Sequence, residues 1–148
     1  MNRNGSVILF ITLTALGCSK PKTNSRIFGE QSGWKVTLLD LNGNSSSTLP
    51  LWDVEESTDV HEFTKGVWRH ENSSSAQFKW RFNYYDGTFS FAINDTIPQE
   101  DNVKAFIQCN NLAGEYSIIT SKKKLYEFES IKTNGYGNQP VFIRLEPQ

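Results

Sequence analysis

The side chains with the widest chemical repertoire lie in one acidic stretch, where Asp53, Glu55, Glu56, Asp59 and Glu62 surround His61, and His70 and Glu71 follow. Imidazole nitrogen and carboxylate oxygen are both zinc donors, so His61 and His70 with a carboxylate could hold a cation. The two histidines stand nine positions apart, wider than the spacings of compact zinc motifs, and the stretch reads as a solvated loop with no metal assigned. The same carboxylates could form a glycosidase pair, but that chemistry needs a separation of about 5 to 9.5 Å, which sequence does not fix. Cys109 in Phe106-Ile107-Gln108-Cys109-Asn110 has no base nearby in sequence to activate it and reads as a thiol packed at a strand end. Lys122-Lys123-Lys124 reads as a turn whose charges guard a sheet edge. It could also meet anionic lipid head groups, at about 1 kcal/mol per lysine. No Gly-x-Gly-x-x-Gly, phosphate loop, Gly-x-Ser-x-Gly or Cys-x-x-Cys occurs, so no catalytic residue and no cofactor is assigned and the chain is read as a non-enzyme.

Aromatic side chains are the more suggestive set: four Trp, five Tyr and ten Phe. Trp34, Trp68, Trp80, Phe82, Phe89 and Phe91 are the candidate ligand-binding residues, with Trp52 in the same company. Their faces suit apolar or C–H-rich ligands. The competing reading is core, because each ring buries roughly 150 to 250 Å² and a small β domain needs such area.

Elements must position these groups, and the chain has room for one domain. It has 148 residues, 37% of them hydrophobic and 21% charged, with a mean hydropathy of −0.49, which excludes a polytopic membrane protein. Fifteen basic against sixteen acidic side chains leave no positive field for nucleic acid. Residues 1–17 follow the plan of a signal peptide: Arg3, then the apolar run Val7 to Gly17, too short for a permanent span. Residues 18–32 are polar, with Pro21 and Gly29 and only Ile27 and Phe28 apolar, which predicts a flexible spacer reaching about 40 Å when stretched. The domain is placed at 33–148.

Within it the apolar period is two. Phe78, Trp80, Phe82 and Tyr84 alternate with Gln77, Lys79, Arg81 and Asn83, a half-buried strand. Asp86-Gly87 and then Phe89, Phe91 and Ile93 in alternation predict a hairpin on a type I′ turn. Further strands are expected at 34–39, 49–54, 62–70, 103–109, 115–121, 124–131 and 141–146, between turn-rich stretches such as Asn42-Gly43 and Asn134-Gly135. The fold class is all-β: an antiparallel meander of about eight or nine strands, a closed barrel or a sandwich.

Two resemblances extend this reading. Ala15-Leu16-Gly17-Cys18 resembles the lipobox of bacterial lipoproteins, which implies lipidation of Cys18 by acyl chains such as palmitate and a place in the cell envelope, with the outer membrane favoured. Ordinary secretion, with Cys18 paired to Cys109, is the alternative. The anchor, Gly33-Trp34-Lys35-Val36, the hairpin Phe82 to Phe89, Leu112-Ala113-Gly114-Glu115-Tyr116 and the closing run Val141 to Pro147 are together similar to lipocalin-like, calycin-type lipoproteins. The lipocalin Gly-x-Trp motif itself occurs at Gly66-Val67-Trp68, mid-chain. The resemblance implies an eight-stranded closed sheet, its interior either filled or holding one small apolar ligand. The function expected is non-catalytic binding of such a ligand or of an envelope protein, with a structural or assembly subunit as the alternative.

Overall fold

A computed structural model describes residues 20–94 and 97–148. The expected signal peptide, Cys18 and the run resembling a lipobox lie outside the described residues. The elements run α1 (Lys20–Glu30), β1 (Gly33–Leu41), β2 (Asn44–Ser45), β3 (Leu51–Val54), β4 (Thr64–Arg69), β5 (Ser75–Phe82) and β6 (Phe89–Ile93). After a single 3₁₀ turn at Glu100–Asn102 come α2 (Val103–Leu112), β7 (Gly114–Lys122), β8 (Leu125–Thr133) and β9 (Val141–Pro147).

Each strand pairs antiparallel with the next, and β9 returns to pair with β1, from Trp34↔Pro147 to Leu41↔Val141. Eight strands thus close a barrel, with β2 as a short extra strand beside β1. The period-two pattern explains the closure: in β5, Ala76, Phe78, Trp80 and Phe82 are buried and the intervening residues face outward, so every strand offers one row to a common interior. The register has two ends. Gly33 opposes Asp53, so the start of β1 shares what we call the near end with the 55–63 loop, the 83–88 loop, the Lys122–Leu125 turn and the C-terminus. The far end carries the 70–74 turn, α2 and the 134–140 loop.

Three departures from the sequence expectation have physical causes. Residues 103–109 form helix α2, not a strand. Alternating Val103, Ala105, Ile107 and Cys109 fit period two, but the residues actually buried are Ala105, Cys109 and Leu112, a helical stripe, while Ile107 is exposed. The helix is tied down by Ser74 Oγ, which accepts the Ala105 N–H at 3.2 Å, and by Asn102 Oδ1, which accepts the Ser75 N–H at 2.9 Å.

The β5–β6 turn is longer than the two residues expected. Asn83 and Thr88 close it through Asn83 N–H to Thr88 O at 2.7 Å, and Asp86 Oδ1 accepts the Thr88 N–H at 3.0 Å. In this loop Gly87 alone has positive φ, whereas a type I′ turn needs two such residues in succession. Tyr84 therefore leaves the strand and is 42% exposed. Asn42 (φ 54°) and Gly43 (φ 85°) do form a two-residue turn of that kind, joining β1 to β2.

The third departure is the polar spacer, which forms helix α1 over Lys20–Glu30 and seals the near end. Phe28 enters the interior completely buried, stacked on Trp34 with ring centroids 4.9 Å apart and edge-on to Trp80 and Tyr126. Trp34 Nε1 donates to the Phe28 carbonyl at 3.0 Å, and Gly29 lies against the backbone of Glu56 and Ser57. Among the described residues no helix is long and apolar enough to cross a membrane.

Candidate functional site

The six candidate ligand-binding residues are brought together, inside the barrel. Trp34, Trp68, Trp80, Phe82 and Phe89 are completely buried and Phe91 nearly so. They pack against Trp52, Phe78, Tyr116, Tyr126, Phe128 and Phe28. Phe89 stacks on Phe128 at 4.4 Å, Phe91 on Tyr116 at 5.5 Å, and Trp68 on Phe91 at 5.7 Å. Rings at these separations are in contact with one another, and none of the six lines any of the surface clefts described below. Burial pushes the phenols of Tyr116 and Tyr126 well above their ordinary value, so both stay neutral, and the Tyr116 hydroxyl donates to the Leu112 carbonyl at the base of α2.

The histidines are separated. His61 sits in the near-end loop and His70 just beyond β4 at the far end, and six strand residues between them amount to roughly 20 Å. They cannot share an ion. Among the described residues no group of three or more His, Cys, Asp or Glu could hold a metal. Cys109 is buried on α2 instead of closing a strand.

At the far end, α2 and the 46–51 segment border an open cleft of about 760 Å³. Its apolar wall is Leu41, Leu49, Leu51, Ile107 and Tyr136, and its polar groups are Lys35, His70, Glu71, Lys104, Gln108 and Asn111. Gln108 organises it. Its Nε2 donates to the Thr48 carbonyl at 2.9 Å, which turns Oε1 toward two donors: the Trp68 indole N–H at 3.0 Å and His70 Nε2 at 2.7 Å. A carbonyl oxygen can only accept, so Nε2 of His70 is the donor in this contact. Trp68 thus reaches the cleft by its N–H alone, its ring staying inside. Sequence reasoning missed Gln108, Ile107 and Leu49. Only a helical reading of 103–112 would have put Lys104, Ile107, Gln108 and Asn111 on one exposed face.

The near end has two further depressions that share Val60, His61 and Tyr84: one of about 340 Å³ walled by Arg81, Asn83 and Glu115, the other of about 760 Å³ walled by Lys22, Arg26 and the 56–59 loop. His61 lies 4.8 Å from the Tyr84 ring, and the Arg81 guanidinium lies 4.5 Å over Phe63. Asn83 Nδ2 donates to Thr88 Oγ1 at 2.6 Å and to Ser90 Oγ at 2.8 Å. Hydrogen bonds from the Thr88 backbone and hydroxyl hold the Asp86 carboxyl below its ordinary range. These contacts tie the 55–63 and 83–88 loops to each other and to β5 and β6, and the polar surface of the smaller depression has no apolar floor comparable to that of the far-end cleft.

The chain is thus a closed eight-stranded antiparallel β-barrel, calycin-like in general shape, plugged at one end by α1 and covered at the other by α2. Comparison with protein-family models, curated proteins and solved structures finds no match to it.

Proposed function

We propose that this protein is a lipoprotein of the bacterial cell envelope, anchored through Cys18, that binds a small and partly apolar ligand without catalysis, and does so in the far-end cleft and not inside the barrel. One observation carries the reading: the interior is occupied by touching rings, while the far-end cleft pairs an apolar wall with a hydrogen-bonded group of fixed orientation, the combination that defines small-molecule sites. Trp68, Gln108 and His70 join the two regions. The ring of the first is locked by the core, and the other two side chains line the cleft. Support for the anchor is the segment from Arg3 to Cys18, and the outer membrane is the envelope layer we assign to it.

An occupied interior also favours a second reading, a structural or assembly subunit that engages an envelope protein with the same surface. Native mass spectrometry of protein extracted from membranes in mild detergent separates the two. A mature mass starting at Cys18 plus acyl chains, with a further small mass lost on denaturation, is the expected result. Ile107→Arg should abolish the additional mass and Trp80→Phe should retain it. Absence of any bound small molecule from both native and Ile107→Arg protein would favour the assembly subunit, and an unlipidated mass with Cys18 bonded to Cys109 would overturn the anchor.

A further inference from the structure

The near end gathers features that ligand binding at the far end leaves unused. Lys20 and Pro21, the first turn of α1, share a small depression with Gly87, Ile118, Ile119 and Ser121, which sets the start of the helix beside the turn carrying Lys122, Lys123 and Lys124. All three of these lysines, and Lys20 and Lys22, are exposed. The ion pairs among the described residues, Arg26–Glu30, Arg69–Asp53 and Arg144–Glu127, use none of the five. Large apolar groups project at the same end: Tyr85 is 91% exposed, and Ile119, at a shift in the β7–β8 register, is 53% exposed.

We propose that this end of the barrel is a membrane-docking face, on which the five lysines meet anionic lipid head groups while Tyr85 and Ile119 enter the interfacial layer. The proposal rests on the anchor at Cys18 and adds an orientation to it. Only two residue steps separate Cys18 from Lys20, and a fully extended chain spans at most about 7 Å over them. A flexible spacer through residue 32 would have left the barrel free to drift and turn. Because α1 is folded onto the barrel through Phe28, the lipid instead holds the near end against the bilayer. Lysines favour an anionic surface, and aromatic side chains settle at the head-group level. The 55–62 loop, with Glu55, Glu56, Asp59 and Glu62, emerges across the rim from the Lys122–Leu125 turn, since β3–β4 and β7–β8 are opposite each other in an eight-stranded circuit, while Lys22 and Tyr85 border the loop itself. Its repulsion from the same lipids tilts the barrel onto the lysine side and points the far-end cleft away from the membrane.

The test uses the full protein extracted from membranes, its intact mass taken first, and then reconstituted in vesicles of phosphatidylcholine alone or mixed with phosphatidylglycerol, each containing a brominated lipid as quencher. A fluorophore is attached at Ser121→Cys, Thr58→Cys or Asn138→Cys, all exposed positions, Cys109 being buried. In anionic vesicles quenching should be strongest at 121, weaker at 58 and lost at 138. The variant Lys122→Glu/Lys123→Glu/Lys124→Glu should lose that order while still floating with the vesicles. Flotation with equal quenching at 121 and 138, or an order indifferent to both phosphatidylglycerol and charge reversal, overturns the docking face and leaves the anchor standing. An unlipidated mass overturns the anchor. In that case, lysine-dependent flotation with anionic vesicles alone supports the face, and no flotation overturns it as well.

Discussion

Two tryptophans in the same core differ in what their indole nitrogens do. Trp68 donates to Gln108, whereas the buried Trp52 Nε1 has no hydrogen-bond partner among the described residues. Both changes to Phe lose ring volume, but only Trp68→Phe also removes a made hydrogen bond, so it should cost about 1 kcal/mol more than Trp52→Phe in urea unfolding. Equal costs would mean that the Gln108 contact contributes nothing to the fold. Gly66 makes a different demand: a Cβ there would come within 2.6 Å of the Phe78 ring and 3.0 Å of the Asp53 carbonyl. Gly66→Ala should therefore lose about 1–3 kcal/mol, the range for overpacking, in the same measurement. Carboxylates set the acid limit. The Arg69 side chain lowers the Asp53 carboxyl, and hydrogen bonds from Thr88 and Thr120 do the same for Asp86 and Glu127. A carboxyl depressed in the folded state adds stability that is fully present above its unfolded pKa, about 4, and is lost as pH falls through the folded value. The unfolding midpoint should be level above about pH 5 and decline below about pH 4, less steeply in Asp53→Asn, and an unchanged acid limb in that variant would assign the loss to other groups.

At the scale of elements, α1 tests whether residues 20–30 are spacer or fold. Few local features favour this helix: it contains Pro21, Asn24, Ser25 and Gly29, and carries no acidic residue in its first turn. It is held by Phe28 among five rings. Phe28→Ala should cost about 3–5 kcal/mol, the range for a fully buried Phe, and should expose residues 20–30 to proteolysis. A loss under about 1 kcal/mol would return the segment to the status of linker. Helix α2 rests on the barrel through Ala105, Cys109 and Leu112 and presents Ile107 and Gln108 to the cleft, so one element both covers the far end and shapes the cleft there.

On the scale of the whole molecule, closure depends on β1 meeting β9, residues more than a hundred positions apart, such as Trp34 and Pro147. Such pairing must meet a loop-closure entropy before it returns any contact energy. Refolding followed by tryptophan fluorescence should accordingly take milliseconds to seconds, as in barrels of high contact order. A sub-millisecond phase carrying the full amplitude would show that closure is not the limiting step. The same closure separates the two ends, with helix α1 at one and the open cleft at the other.

The sequence by itself determined the strands with strict alternation, among them β5, β6 and β9, and with them the all-β antiparallel class and the rows of inward rings, because period two is a local property that any closed sheet reads the same way. It also carried the Asn42-Gly43 turn, whose backbone demand is met by those two residues alone. Tertiary structure alone decided the rest. The apolar residues of 103–109 fit two periods, and only the barrel mouth selected the helical one. A single Phe in a polar segment says nothing locally, yet among Trp34, Trp80 and Tyr126 it is enough to fold eleven residues of α1. Ring stacking inside the barrel turned the candidate ligand-binding aromatics into one another's partners. The cleft around Gln108 exists because chain segments sixty residues apart, Thr48 and Gln108, meet there, and no spacing rule anticipates a contact made by closure of the sheet.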